Sequence, residues 1–114
     1  MAYSGTAASG PVGSVTGAAG GGGTSHTTPT ATAAAGSWVL SIWSDKAPEE
    51  RLFVPPAGLA ERSNLAGVGN GDVATLVADS GGPVPDGQVG GLTATVPTPS
   101  SRSTMLTVVL TPAG

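Results

Sequence analysis

The clearest pattern along the chain is the alternation in Ser37-Trp38-Val39-Leu40-Ser41-Ile42-Trp43-Ser44. Successive side chains of a strand point to opposite faces, so Trp38, Leu40 and Ile42 share one face and Val39, Ser41 and Trp43 the other. The first face is wholly apolar, which predicts that it faces the core. Asp72 to Asp79 predicts a second strand, bounded by the turn signals Gly69-Asn70-Gly71 and Ser80-Gly81-Gly82-Pro83. Val89 to Val96 predicts a third, in which Leu92, Ala94 and Val96 alternate with Thr93 and Thr95, and Ser103 to Leu110 a fourth. Arg51 to Val54 reads as a short strand stopped by Pro55-Pro56, and Leu59 to Leu65 as the one place for a helical turn. The expected core joins Trp38, Leu40 and Ile42 to Leu76, Leu92 and Leu106 or Val108.

Ahead of Ser37 the pattern fades. Residues 1–36 are dominated by Ala, Gly, Ser and Thr and contain the run Gly20 to Gly23, a flexible coil by composition. Two pieces within it have strand character. In Pro11 to Thr16, Val12 and Val15 are spaced badly for strict alternation. In Thr27 to Thr32 the threonines suit a pleated surface, while Pro29 confines the piece to an edge or a strand start. Residues 1–36 therefore read as a low-complexity N-terminal arm with edge strands, and residues 37–114 as the folded domain. Short strands at spacings of about 10–20 residues indicate an all-β antiparallel sandwich, jelly-roll-like, with a Gly/Thr/Ala-rich arm.

Composition narrows the function classes. The 114 residues include 19 Gly and 10 Pro, and charged residues make up only 10%. Leu, Ile, Val and Phe together form just under a fifth of the chain, thin material for a core. Four basic against seven acidic residues argue against binding a phosphate backbone, so no nucleic-acid partner is expected. The absence of cysteine excludes disulfides, thiolate metal sites and a Cys nucleophile. No stretch approaches the length of a membrane span, and the first twenty residues carry neither Lys nor Arg nor an apolar run of signal-peptide length. The expectation is a protein that is made in the cytoplasm and has no membrane partner.

Catalytic constellations are weak. His26 is the only histidine, and one imidazole with no cysteine makes no ordinary transition-metal site; it reads as a polar surface residue. Glu49 and Glu50 are adjacent, so in a strand they would point opposite ways, and they read as a solvated turn. Asp72, Asp79 and Asp86 flank glycine turns without the spacing of a calcium loop, which predicts turn-capping carboxylates. Gly67-Val68-Gly69-Asn70-Gly71 lacks the lysine and helix of a phosphate loop and reads as a hairpin connection. No Gly-x-Ser-x-Gly elbow is present. No cofactor and no enzymatic activity are expected. Trp38 and Trp43 lie on opposite faces, so one should fill the core while the other is either buried as well or serves as an interface anchor or a sugar-stacking platform.

Several segments together resemble a known β-sandwich domain. Trp38 to Lys46 is similar to a "WVVSYWADK" segment, and Pro56-Ala57-Gly58 followed by Arg62 to its Pro-Ala-Gly turn. Asp72 through Val84, containing Ala78-Asp79-Ser80-Gly81-Gly82-Pro83-Val84, is similar to an "LLADSGGPV" segment, and Gly90 to Thr95 to "GGLTATA". Tyr3-Ser4-Gly5-Thr6 and His26 to Thr30 complete the match, which runs over nearly the whole chain. The domain recurs in actinobacterial secreted proteins and in virion proteins, especially minor tail proteins, of actinobacteriophages. The resemblance implies a non-enzymatic structural protein of a phage particle, a capsid decoration or small tail protein, made in the host cytoplasm and located in the virion. Its implied partners are other virion subunits, a major capsid or tail protein, and further copies of itself in a homo-oligomeric assembly. Tyr3, His26 and Trp43 are then the candidate interface or ligand contacts. The alternative is an extracellular carbohydrate-binding or adhesion module with cell-surface carbohydrate as ligand. Two departures stand out: larger members carry strands before the segment that begins here at Tyr3, and Phe53-Val54-Pro55 replaces a tryptophan before the Pro-Ala-Gly turn. The first implies an open sheet edge, across which the arm would reach a neighbouring subunit; the alternative is that residues 24–34 fold back as the sandwich's own edge strands.

Overall fold

A computed structural model of the chain describes residues 12–20, 23–47, 53–66, 72–100 and 102–112. Among them are nine strands and no helix: β1 Val12–Gly20, β2 Gly23–Thr27, β3 Ala31–Ala33, β4 Trp38–Ala47, β5 Ala60–Ala66, β6 Asp72–Asp79, β7 Gly87–Val89, β8 Thr93–Ser100 and β9 Arg102–Leu110. One layer is a five-stranded antiparallel sheet in the order β1-β9-β4-β6-β5. The other consists of the pairs β2-β8 and β3-β7. The fold is thus an all-β sandwich. Five strands facing two short pairs do not by themselves reproduce the two four-stranded sheets of a jelly roll.

The two pairs are joined by two connections that run side by side and antiparallel, residues 28–30 and 90–92. Thr28 follows β2 and Leu92 precedes β8; the Thr28 amide donates to the Leu92 carbonyl at 2.9 Å, and the Leu92 amide donates to Thr28 Oγ1 at 3.0 Å. The Gly91 amide donates to the Thr28 carbonyl at 3.0 Å. Pairing therefore continues through a kink at Pro29 and Gly90, where the ladder of a regular strand would fail. Gly90 has φ of 89°, and a Cβ there would collide with the Pro29 carbonyl, so only glycine fits. Pro29 lies in this connection, which splits the single strand expected over Thr27 to Thr32 into the end of β2 and the start of β3.

The low-complexity stretch is largely part of the sandwich. β1 pairs with β9, β2 with β8 and β3 with β7. The described part of residues 1–36 thus supplies the sandwich's own edge and second-layer strands; residues 1–11, 21 and 22 lie outside the described residues. The awkward spacing of Val12 and Val15 has a simple cause. Val12 opposes Leu110 and Ser14 opposes Val109, so Gly13 is an extra residue in a bulge, which turns both valines outward. A Cβ on Gly13 would come within 2.7 Å of Thr111 Oγ1. Leu59 to Leu65 holds no helical turn: it is mostly β5, itself bulged between Glu61 and Ser63.

The core lies on the other face of β4 from the one the pattern predicts. Trp43 is fully enclosed at 0% exposure, with Phe53, Ala74, Leu76, Ala78, Ala94, Val96 and Met105 around it. A smaller cluster joins Ala31, Ala33 and Val109. Trp38, Leu40, Ile42, Leu106 and Val108 are only half-buried, whereas Leu76 is buried and Leu92 packs on the main cluster from its margin. Between the two clusters runs a row of hydroxyls: Thr16 opposes Thr107 on β9, which opposes Ser41 on β4. Thr107 Oγ1 donates to the Pro29 carbonyl at 2.6 Å. The hydroxyls of Thr16 and Ser41, like those of Ser14, Ser37 and Ser103, are buried without a hydrogen-bond partner in the chain.

Candidate interaction surface

The outer face of the five-stranded sheet is ordered in rows across the strands. At one end Trp38 lies beside Leu110; next come Val15, Val108 and Leu40; then Gly17, Leu106, Ile42 and Val77. A hydroxyl row follows, Thr104, Ser44 and Thr75, and the far end carries Arg102 opposite Lys46, with Val73 beyond. Neither core cluster includes a residue of this face. Val15 is 55% and Val73 53% exposed. Rows repeat about every 7 Å along a strand and strands about every 4.8 Å, so the three apolar rows cover about 400 Å². Patches of that size on a folded chain are commonly functional.

The sheet is thus more apolar outside than in. Inward positions of β4 and β9 include Ser41, Asp45, Ser103 and Thr107; their outward neighbours include Leu40, Ile42, Leu106 and Val108. An antiparallel sheet with one solvated face ordinarily shows the reverse.

The expected contact residues are placed elsewhere. Trp43 is not a surface platform: its ring fills the core and its Nε1–H donates to the His26 carbonyl at 2.9 Å. His26 is not a polar surface residue: it is buried, its ring meets Phe53 edge-on at 6.2 Å, and Nε2 lies 3.8 Å from Asp45 Oδ2. That distance is too long for a hydrogen bond. Tyr3, Glu49 and Glu50, and the glycine loop 67–71 lie outside the described residues.

Of the three aspartates, Asp79 does cap its turn. Its Oδ1 accepts from the Gly81 amide at 2.8 Å, and it holds Arg62 through both oxygens, at 2.6 Å from Nε and 3.1 Å from Nη2. Sequence reasoning missed Arg62 and Asn64 as organising residues. Asn64 binds both the amide and the carbonyl of Phe53, at 3.3 and 2.8 Å, and so holds that ring in the core in place of a strand neighbour. A cleft of about 280 Å³ opens between the layers, walled by Val39, Leu59, Val84, Val89 and Leu92. Among the described residues no group of His, Asp and Glu is placed to hold a metal ion. Comparison with family models, with curated proteins and with solved structures gives no match.

Proposed function

We propose that the chain is a non-enzymatic structural protein of a bacteriophage particle, a capsid decoration or small tail protein, and that it works by protein–protein contact through the outer sheet face. The observation that carries the reading is the inverted polarity of the five-stranded sheet: its outer apolar rows, with half-buried Leu40, Ile42, Val108 and Leu106 beside exposed Val15, belong to neither core cluster. Covering such a face removes apolar area from water, the main favourable term in association. The resemblance to virion domains supplies the setting. A carbohydrate-binding role has less support, since it needs an open flat ring among polar groups; Trp43 is enclosed and Trp38 belongs to the apolar rows.

Uptake into particles tests the reading. Tagged chains are expressed in the host that produces the particles, and particles are purified and probed for the tag. Val15→Lys places a cation on the outer face and should lower uptake at least tenfold. Thr32→Lys, at an exposed position of the opposite layer, should not. Full uptake of Val15→Lys would overturn the assignment of the face.

A further inference from the structure

We infer that the cleft between the two layers binds a small uncharged molecule, with an apolar body and one hydroxyl or carbonyl group. The site is separate from the outer sheet face. Its origin lies in the sequence. β8 has a neighbour on its outer side at Val54, whose amide donates to the Thr95 carbonyl at 2.7 Å and whose carbonyl accepts from the Thr95 amide at 3.1 Å. Pro55 and Pro56 come next and have no N–H with which to continue the pairing toward β7. No strand among those described pairs with that edge of β7. Leu59 and Leu92 lie at the margin of the main core cluster, Val84 and Val89 at that of the smaller one, and the cleft opens where the two clusters do not meet.

The walls are held in place by the chain itself. The Gly36 amide donates to the Val84 carbonyl and the Val84 amide to the Ser37 carbonyl, both at 2.8 Å. The Ser80 amide donates to the Val39 carbonyl at 2.9 Å, and the Val39 amide donates to Ser80 Oγ at 3.2 Å. Gly90, which also lines the cleft, is fixed against Pro29. Bonds of this kind keep the walls apart, so the space is formed before a ligand enters and little ordering is needed on binding.

Size and chemistry define the ligand. An apolar cavity of about 150 Å³ accepts benzene, so a cleft of about 280 Å³ has room for about ten non-hydrogen atoms. No described residue that lines it is charged, so an ion would lose its hydration there without compensation. Two polar side chains line it, Ser80 and Gln88. The Ser80 hydroxyl is engaged within the chain, accepting from the Val39 amide and donating to the Gly82 carbonyl at 2.6 Å. Gln88, exposed on the rim, makes no hydrogen bond within the chain among the described residues. Its carboxamide offers a neutral donor and a neutral acceptor, which suit one hydroxyl or carbonyl on an otherwise apolar molecule.

Titration of the purified full chain with n-octanol, followed by methyl nuclear magnetic resonance, tests the proposal. The methyl signals of Val39, Leu59, Val84, Val89 and Leu92 should shift along one saturation curve with a midpoint on the order of 0.1 mM. Those of Val15 and Leu106, on the outer face, should stay in place. Val84→Phe fills the cleft and should weaken binding about tenfold or more, with a retained cooperative urea transition reporting the intact fold. Gln88→Leu should weaken n-octanol about fivefold and leave ethylbenzene, which has no polar group, unaffected. Absence of saturable shifts up to the solubility limit of n-octanol overturns the proposal, as do shifts confined to the outer face. So does a folded Val84→Phe chain that binds like wild type; if that variant does not fold, the wild-type shift map decides. A Gln88→Leu chain that binds n-octanol unchanged overturns the assignment of the polar group.

Discussion

Ser41 is wholly enclosed, while Ile42, the next residue of β4, is only half so. The hydroxyl faces the interior between two apolar clusters and has no hydrogen-bond partner in the chain, and the larger apolar side chain faces outward. A buried polar atom left unbonded costs about 1–3 kcal/mol. Ser41→Ala should therefore raise stability by about 1 kcal/mol, read as a higher urea midpoint with an unchanged slope. A drop would show that Ser41 has a partner, such as an internal water.

Truncations on the two faces should differ. Leu76→Ala removes a fully enclosed side chain beside Trp43 and should cost about 2–5 kcal/mol. Leu40→Ala, on the outer face, should cost about 1 kcal/mol when measured at a concentration too low for association. Equal costs in chemical denaturation would mean that the outer rows are covered within the single chain.

The pair Arg62–Asp79 is lopsided, with the guanidinium side chain 40% exposed and the carboxylate 1% exposed. Arg62→Ala leaves a buried carboxylate with its cation gone and should cost about 1–2 kcal/mol, below the range for fully buried pairs because water reaches the arginine side. Asp79→Asn keeps an acceptor for the Gly81 amide and should cost less. Thermal denaturation of both variants at neutral pH checks the order.

Glycines with similar backbones should also separate. Gly58 and Gly90 both have φ of 89°, yet a Cβ on Gly58 meets nothing within 4 Å, while one on Gly90 collides with Pro29. Gly58→Ala should cost about 1–2 kcal/mol, the backbone strain alone. Gly90→Ala should cost distinctly more, and amide exchange should quicken in β3 and β7, which the kink aligns. Equal costs would mean that the crossing at Pro29 moves aside freely.

Strand positions were legible because alternation and turn residues mark them locally: β6 spans Asp72–Asp79 as read, and β4, β8 and β9 fall within a few residues of expectation. Which face of β4 turns inward was not. Period-two alternation identifies two faces and leaves the choice to their apolar content, and here the more apolar set, Trp38, Leu40 and Ile42, faces out. The inward set is held by long-range partners that no local pattern announces: the carbonyl of His26 for Trp43 and that of Pro29 for Thr107. Bulges hid the rest. The one at Gly13 broke the alternation of β1, and the one between Glu61 and Ser63 gave β5 the spacing of a helical turn. The same inversion of faces misplaced the candidate site, sending Trp43 inward and leaving Leu40, Ile42 and Val108, read as core, on the outer face of the sheet.

The five-stranded sheet ends differently on its two sides. β5 closes one side with a bulge flanked by Glu61 and Arg62, both exposed, features that discourage a further strand. β1 closes the other with nine residues that include no charge at all. Main-chain extension of the sheet is therefore one-sided. Two copies joined along β1 would present β5 at both outer margins, and hydrogen-bonded growth would stop there. The shape of β5, and not the composition of the chain, thus sets where main-chain extension of the sheet ends on that side.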